Sequence, residues 1–287
     1  MEYDISAHTD NVLHHLYINP LEKCNLKCKI CYTKKTAPFL KVKEILDFVR
    51  RYNETVEVKV ITFCGGEVFA LSYFPHLVNA LTKQGIFTQI ITNGTIDKLE
   101  EFDDPNMINL IVSLDGLEKY HDSNRGQGNF KKSMDFLQKG KKMGFHIEIF
   151  SIVTRQNLKC IDKFESYLKK ELGPIEVTYH PRKPITYLNI HPVSKIVGEI
   201  AGFDFLEKKE IQRLMMTKKT FPPKSLGCYQ ISLTSDGTVY GCCEGFEALG
   251  KIDDLIPQLI EKLKSKLGGP CLGCVQPGFL CGVKDYI

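Results

Sequence analysis

Three cysteines stand within eight positions of the segment "EKCNLKCKICYTKK", at Cys24, Cys28 and Cys31. Structural zinc sites use four protein ligands, and cubane iron–sulfur clusters are ordinarily held by four cysteine thiolates. Three thiolates leave one coordination position open, which is typical of a catalytic rather than a structural metal site. The alternative is a zinc knuckle that takes its fourth ligand from elsewhere in the chain, for example Cys64.

The segment "FCGGEVF" (63–69) is the second candidate for chemistry. Gly65 and Gly66 allow the backbone to approach a ligand that side chains would keep away. The carboxylate of Glu67 can accept hydrogen bonds from an ammonium group. Alone, the three residues could form an ordinary turn. They indicate a binding site because they follow the cysteine triplet by one strand–helix unit.

Six further cysteines lie near the C-terminus, at Cys228, Cys242, Cys243, Cys271, Cys274 and Cys281. Asp236 and Gly237 predict a hairpin turn between the first two of them. Because adjacent strand residues point to opposite faces, Cys243 is expected not to share the face of Cys242. Thiolates bind zinc as well as iron, so a zinc ribbon is the alternative for this group.

The elements that must position these groups alternate between strand and helix. Periodicity predicts strands at 13–19, 57–63, 87–92, 109–114, 146–154 and 175–180. Helices are predicted at 41–52, 73–85, 96–102, 130–144 and 158–173. Six such units in a row predict a parallel sheet with helices outside, an incomplete (β/α)6 barrel of the TIM type, with active residues at the carboxyl ends of the strands.

The pattern changes after the sixth strand. A proline-rich connector and a helix at 205–216 precede the hairpin, a helix at 255–267 and the last cysteines. We therefore predict a partial barrel over 1–215 and a small α+β hairpin–helix domain over 216–287.

Composition excludes several classes of protein. The net charge of +4 is small and the lysine pairs are scattered, which is unlike a nucleic-acid binder. No apolar run is long enough to span a bilayer and the first residues are polar, so a soluble cytoplasmic protein is expected. Eleven cysteines in a chain of 287 residues are grouped as metal ligands are, and do not form a disulfide framework typical of small secreted domains.

With CxxxCxxC followed by Gly-Gly-Glu, the sequence resembles the radical SAM enzymes over nearly its whole length. The resemblance implies that Cys24, Cys28 and Cys31 bind a [4Fe–4S] cluster whose fourth iron is chelated by the amino and carboxylate groups of S-adenosylmethionine (SAM). The stretches "ITNGT" (91–95), "SLDG" (113–116), "HDSNRGQGNF" (121–130) and "VTRQN" (153–157) are similar to further family segments. The SAM-binding residues implied are Ile30, Gly65, Gly66, Glu67, Thr92, Ser113, Arg125 and Asn157, with Val153 beside the last.

The C-terminal cysteines resemble the twitch form of the SPASM extension of that family, which binds an auxiliary [4Fe–4S] cluster. Cys228, Cys242, Cys271 and Cys274 are the preferred ligands, and Cys281 is a fifth candidate. One auxiliary cluster is expected. The lone Cys160 is expected to be a core residue.

The resemblance implies reductive cleavage of SAM to a 5′-deoxyadenosyl radical that abstracts a substrate hydrogen, with an electron donor of the flavodoxin or ferredoxin type. The preferred substrate is a peptide, which would make the protein a maturase. Only about a dozen residues precede the first strand, so the N-terminal peptide-binding module of some family members is expected to be absent. The alternatives are a dehydrogenase of a small molecule such as a sugar or aminocyclitol, and a non-catalytic zinc-binding protein. Substrate contacts are expected from Tyr179, His180, Arg182 and Tyr187, for which core packing or a solvent-facing position is the alternative. No catalytic acid or base is assigned.

Overall fold

The structure is a computed structural model that describes residues 13–31, 33, 35–182, 200–220, 228–243 and 248–265. The predicted ligands Cys271, Cys274 and Cys281 and the predicted substrate contact Tyr187 lie outside these residues. Within them, no helix has the length and apolar character needed to cross a membrane.

In the described part of the chain, nine strands form a single sheet. They are β1 (His15–Ile18), β2 (Val60–Phe63), β3 (Phe87–Thr92), β4 (Ile108–Ser113), β5 (His146–Val153), β6 (Glu176–Pro181), β7 (Cys228–Leu233), β8 (Thr238–Cys242) and β9 (Ala248–Lys251). Their order across the sheet is β6-β5-β4-β3-β2-β1-β7-β8-β9. The first six strands pair in parallel, and β6 and β9 lie at opposite edges, so the sheet is not closed. The predicted incomplete barrel is confirmed.

Eight helices accompany the described strands. They are α1 (Val42–Asn53), α2 (Phe74–Thr82), α3 (Glu118–Arg125), α4 (Asn129–Lys142), α5 (Arg155–Leu158), α6 (Ile161–Leu172), α7 (Lys208–Thr217) and α8 (Ile256–Ser265). The helix predicted at 96–102 is wrong, because only a single 3-10 turn forms at Leu99–Glu101. The sequence analysis also missed α3, α5 and β9, whose residues are polar or few.

The first helix shows why these segments fold as they do. In α1, Ile45, Phe48, Val49 and Tyr52 recur at helical spacing, and all four are buried. The side chain of Glu44 accepts a hydrogen bond of 2.6 Å from the backbone N–H of Lys41, which satisfies a donor at the helix start. The apolar stripe then packs on the outer face of the sheet.

The two faces of the parallel sheet differ in character. Outer-face residues such as Leu16, Phe63, Leu110 and Ile149 are fully buried in the core beneath the helices. The residues of the inner face alternate with these along each strand, and most of them are polar. Its described residues on β1 to β7 are His15, Tyr17, Val60, Thr62, Phe87, Gln89, Ile91, Asn109, Ile111, Ser113, His146, Glu148, Phe150, Ile152, Glu176, Thr178, His180, Gln230 and Ser232.

Contacts between neighbouring strands confirm the direction of the inner-face side chains. The Oγ1 atom of Thr62 lies 2.7 Å from Nε2 of His15 and donates to Oε1 of Gln89 at 2.7 Å. Further along the same face, between β4 and β5, Nδ2 of Asn109 donates to Oε1 of Glu148 at 3.2 Å. The inside of the open barrel is therefore lined by hydrogen-bonding groups.

The C-terminal hairpin continues the barrel sheet. Strand β7 pairs in parallel with β1, with Tyr17 opposite Ser232 and Ile18 opposite Leu233. The predicted domain boundary at 215 falls within α7. The division into two domains remains a prediction.

Candidate active site at the cysteine loop

The cysteine loop, residues 19–41, connects β1 to α1 and starts at the carboxyl end of β1. The side chains of Cys24, Cys28 and Cys31 are all half-buried. Between them, Leu26 and Ile30 are buried and anchor the loop. The backbone N–H of Cys31 donates to the carbonyl of Cys28 at 3.3 Å, which closes a turn between these two cysteines.

The chemical state of the thiols follows from their surroundings. Burial raises the pKa of the Cys28 thiol to about 11, although the nearby Arg125 guanidinium opposes this rise. Burial also raises the pKa of Cys24. In the absence of a metal both groups are thiols at neutral pH. A bound cationic metal centre deprotonates coordinating thiols, so the loop is chemically suited to hold one.

The three thiols could hold either a cluster or a single zinc ion. Among the described residues, no three Cys, His, Asp or Glu side chains converge as ligands of one metal ion. A single zinc ion requires such convergence, because its ligands lie about 2.0–2.3 Å from the metal. A cubane binds each thiolate at a different iron, so its three cysteines need not meet at one point. The choice between a cluster and a zinc knuckle at these cysteines remains a prediction.

Gly65 and Gly66 bring the end of β2 against the cysteine loop. A Cβ atom on Gly66 would lie 1.9 Å from the carbonyl oxygen of Lys23, and one on Gly65 would lie 2.2 Å from that of Leu21. The backbone N–H of Gly66 donates to the carbonyl of Leu21 at 2.9 Å, and the N–H of Glu67 donates to the carbonyl of Lys23 at 3.0 Å. The close backbone approach predicted for these glycines is therefore made to the protein's own backbone, immediately before Cys24.

Glu67 is fully buried and joins β2 to the end of β3. Its carboxylate accepts hydrogen bonds from Oγ1 of Thr92 and the backbone N–H of Asn93, both at 2.8 Å, and from the N–H of Phe69 at 3.1 Å. Burial raises the pKa of Glu67, and the three hydrogen bonds counteract part of that rise. The structure thus places the predicted SAM-binding residues Glu67 and Thr92 in direct contact.

Asn93, which the sequence analysis did not select, connects β3 to the first cysteine. Its Nδ2 atom donates to Oδ1 of Asn25 at 2.9 Å and lies 3.7 Å from Sγ of Cys24. Nδ2 of Asn25 donates in turn to Oγ1 of Thr95 at 2.8 Å. The turn-forming sequence Thr-Asn-Gly-Thr was the available signal, but it does not reveal the partner in the cysteine loop.

The Asp115 network, formed by Asp115, Asn124, Arg125 and Asn157, joins the ends of β4 and β5 to α3. The buried Asp115 carboxylate accepts from Nε of Arg125 at 2.7 Å, from Nη2 of Arg125 at 3.0 Å and from Nδ2 of Asn124 at 2.7 Å. Its backbone carbonyl accepts from Nδ2 of Asn157 at 2.6 Å. The predicted SAM-binding residues Arg125 and Asn157 thus meet around Asp115, which the sequence analysis did not select as a site residue.

The remaining predicted contacts with SAM lie at the same rim. Ser113 is half-buried at the end of β4, on the inner face, and Ile30 is buried next to Asn124. Val153 ends β5 but belongs to a core cluster on the helix side. SAM binding by this set remains a prediction.

Several other expected positions are now located. Tyr179 packs in the helix-side cluster and its hydroxyl donates to Glu165 at 3.0 Å, so the core-packing alternative is correct for this residue. His180 is on the inner face, and the buried Arg182 packs over the ring of Phe205. Cys160 is exposed, so the expectation of a core residue is wrong. It lines a cavity of about 410 Å³ between α3 and α6.

The hairpin brings two predicted auxiliary ligands opposite each other. The register of β7 and β8 pairs Cys228 with Cys242. The side chains of Cys242 and Cys243 are both half-buried. Because the other predicted ligands lie outside the described residues, the auxiliary site remains a prediction.

Comparison with known proteins supplies the family. The model of the Radical SAM superfamily matches residues 18–168, which is more than half of the chain. The chain is 27% identical to an S-adenosylmethionine-dependent nucleotide dehydratase of Lacinutrix mariniflava, over 52% of this chain and 34% of that protein. It is 26% identical to a cysteine-type anaerobic sulfatase-maturating enzyme of Clostridium novyi, over 52% of this chain and 46% of that protein. The chain thus aligns with less than half the length of each of these relatives.

Solved structures share the fold. The structure of anSMEcpe with bound AdoMet and Cp18Cys peptide superposes with a TM-score of 0.70 at 20% identity, covering 93% of this chain and 87% of that chain. The structure of Streptococcus suis SuiB bound to S-adenosylmethionine superposes with a TM-score of 0.66 at 16% identity, covering 91% of this chain and 70% of that chain. The family match runs from the end of β1 through the cysteine loop into α6. We conclude that the chain belongs to the radical SAM superfamily, and that membership implies a [4Fe–4S] cluster and SAM as cofactors.

Proposed function

We propose that this radical SAM enzyme oxidatively modifies a peptide, with Cys24, Cys28 and Cys31 holding the cluster that binds SAM. The observation that carries the proposal is the docking of the cysteine loop onto Glu67 and Asn93, which follow β2 and β3, and onto Asn124 near the end of α3. When bound, the cluster and SAM supply a 5′-deoxyadenosyl radical. The chain holds its cofactors at this rim and orients the substrate within the open barrel.

The rim residues have distinct roles in this proposal. Glu67, with Gly65 and Gly66, contacts the methionine amino group of SAM, while Ile30 lies beside the adenine. Thr92 and Ser113 contact the carboxylate and ribose, and Asn157 contributes at the end of β5. Arg125 keeps its charge through its pair with Asp115, and its position near Cys28 lets that charge act on an anionic group at the rim.

The inner face supports a substrate without phosphate groups. None of its described residues on β1 to β7 is lysine or arginine, whereas Glu148 contributes a carboxylate. Phosphorylated substrates are bound chiefly by Arg and Lys, so this face is poorly suited to a nucleotide. Two structures that share the fold hold a peptide, anSMEcpe with the Cp18Cys peptide and SuiB with the precursor peptide SuiA. Two sequence relatives are a sulfatase-maturating enzyme and the Bacillus subtilis protein AlbA of subtilosin biosynthesis. Together these points favour a peptide over a nucleotide.

The C-terminal cysteines complete the proposal. Cys228 and Cys242, opposed in the hairpin, hold an auxiliary [4Fe–4S] cluster together with Cys271 and Cys274, or with Cys281 in place of one of them. Held there, the auxiliary cluster would supply an acceptor for the electron that leaves the substrate on oxidation. A flavodoxin- or ferredoxin-type protein delivers the electron that starts each turnover.

Formation of 5′-deoxyadenosine tests the assignment of the cysteine loop. Protein purified without oxygen should contain about eight irons per chain, the content of two cubane clusters. Incubation with dithionite and SAM should release 5′-deoxyadenosine, and Cys24→Ala should abolish that release. The exposed Cys160→Ala is the matched control and should retain it. Full release by Cys24→Ala, or colourless protein rich in zinc, would show that the assignment is wrong.

A second measurement addresses the substrate. Peptides encoded beside the gene, a nucleoside triphosphate and an aminocyclitol should be compared by mass spectrometry after complete reactions. A loss of two hydrogens or a new cross-link in a peptide is the expected result. Oxidation of the aminocyclitol without any change in a peptide would favour the small-molecule dehydrogenase instead.

A further inference from the structure

Asn124 contacts both residues that separate Cys28 from Cys31. Its backbone carbonyl accepts a hydrogen bond from the N–H of Lys29 at 3.1 Å, and its side-chain Oδ1 accepts from the N–H of Ile30 at 3.3 Å. Asn124 is 2% exposed and lies one residue before the end of α3. A residue 94 positions away in sequence therefore holds the turn between two predicted cluster ligands.

Asp115 determines the orientation of the Asn124 amide. Its ionised carboxylate can only accept hydrogen bonds, so the group that Asn124 presents to it at 2.7 Å must be the NH₂ group. The amide oxygen then necessarily faces Ile30. Arg125 and the backbone N–H of Ile152 fix the Asp115 carboxylate from two other directions. The orientation of the amide is thus set by a buried and fully engaged neighbour.

This connection matters because three ligands on a loop must be ordered before they can bind one cluster. Metal binding is coupled to the ordering of its ligands, and a turn that is already formed lowers the cost of that ordering. Within the turn, one hydrogen bond runs directly between the two cysteines, from the N–H of Cys31 to the carbonyl of Cys28. The two bonds from Asn124 come from outside the loop and fix the turn relative to β4 and α3.

We propose that Asn124 is a positioning residue that, held by Asp115, pre-forms the Cys28–Cys31 turn for cluster binding. The proposal rests on the assignment of these cysteines as cluster ligands. Asn124 does not contact the reacting atoms in this role. It sets the direction in which two of the three thiolates meet the iron.

The first test uses the full wild-type chain after chelation of its iron. Hydrogen–deuterium exchange at single-amide resolution should show Lys29 and Ile30 protected relative to the amide of Lys27, an exposed residue of the same loop. Exchange of Lys29 and Ile30 at the rate of Lys27 would overturn the proposal. No substitution is needed for this measurement, so it decides the question even if a variant fails to fold.

The second test compares Asn124→Ala with Ser123→Ala, an exposed neighbour whose hydroxyl bonds only within its own helix. In the iron-free chain, Asn124→Ala should accelerate exchange at Ile30 about tenfold, which corresponds to about 1.4 kcal/mol, while Ser123→Ala leaves it unchanged. Equal exchange in both variants would contradict the proposal.

The electron paramagnetic resonance spectrum of the reduced, iron-loaded protein separates positioning from general stability. Reoriented thiolates should change the spectrum of the SAM-binding cluster in Asn124→Ala, whereas Ser123→Ala should give the wild-type spectrum. A weaker signal of unchanged shape would mean that the substitution only lowers the amount of iron bound. The positioning role would then be wrong. If exchange behaves as expected but even the wild-type chain binds no iron, the cluster assignment fails while the contact of Asn124 with the turn stands.

Discussion

The guanidinium of Arg125 and the carboxylate of Asp115 form a bidentate ion pair, with Nε 2.7 Å from Oδ2 and Nη2 3.0 Å from Oδ1. The Asp115 side chain is fully buried and that of Arg125 is 11% exposed. Burial disfavours both charges, yet the pairing holds the pKa of Asp115 below its usual value and raises that of Arg125. Both groups therefore remain ionised next to the cysteine loop at neutral pH.

Removal of Arg125 should be strongly destabilising. Arg125→Ala leaves the buried Asp115 charge without its partner, and a change of this kind costs about 3–5 kcal/mol. Urea unfolding at pH 7 measures the loss. Arg155→Ala is the matched control, because its ion pairs with Glu207 and Glu210 are partly exposed and should be worth about 1 kcal/mol or less. Similar losses of unfolding free energy in the two variants would show that the buried Asp115–Arg125 pair stabilises the protein no more than the partly exposed pairs do.

The protein should lose stability in acid because of His121. This side chain is fully buried, its Nδ1 accepts from the backbone N–H of Asp115 at 3.3 Å, and burial lowers its pKa from 6.5 to about 4. Above pH 6.5 the folded and unfolded chains are both neutral at this residue. Between pH 6.5 and 4 only the unfolded chain takes up the proton, so stability falls as pH falls, by at most on the order of 3 kcal/mol.

His121→Asn removes this titration while retaining a side-chain acceptor. The difference in urea midpoint between pH 7 and pH 4.5 should therefore be smaller in His121→Asn than in the wild type. His76→Asn, at an exposed position on α2, should keep the wild-type difference. An unchanged pH dependence in His121→Asn would show that the buried imidazole does not cause the acid sensitivity.

Gly66→Ala should displace the segment that leads to Cys24. The new Cβ would lie 1.9 Å from the carbonyl oxygen of Lys23, a backbone atom that cannot rotate away. Overpacking of this kind costs about 1–3 kcal/mol, and the iron content should fall with it. Gly85→Ala is the control: its Cβ meets open space at a φ of +80°, so it should cost about 1 kcal/mol of strain without loss of iron. Wild-type iron content in Gly66→Ala would disprove the expected displacement.

Glu67→Gln should weaken the junction between β2 and β3. One carboxylate oxygen accepts from Thr92 and Phe69 and the other from the N–H of Asn93, so an amide must turn an NH₂ group towards a donor. A buried donor left unpaired costs about 1–3 kcal/mol. Thermal or urea unfolding of the iron-free chain measures the effect. Glu54→Gln, at an exposed position after α1, is the control and should change stability by less than about 0.5 kcal/mol. An equally small effect of Glu67→Gln would show that the hydrogen bonds to Glu67 do not stabilise the junction.

The sequence by itself determined the order of the elements and the chemistry of the loop. Strands such as Phe87–Thr92 and helices such as Val42–Asn53 follow from periodicity, because alternation and helical spacing are local properties. The spacing of Cys24, Cys28 and Cys31 is local as well, and it indicates a metal centre without reference to the rest of the chain. The family was suggested by the same residues and is now shown.

Only the tertiary structure decided which distant groups meet. The contacts of Asn124 with Ile30, of Glu67 with Asn93 and of Gly66 with Leu21 depend on the parallel register of the strands, which no local pattern specifies. The same register placed Tyr179 on the helix side of the sheet and β7 beside β1. The physical reason is that a hydrogen bond or a steric contact across the sheet depends on the relative positions of two backbone segments. The sequence pattern of one segment indicates only the local conformation of that segment.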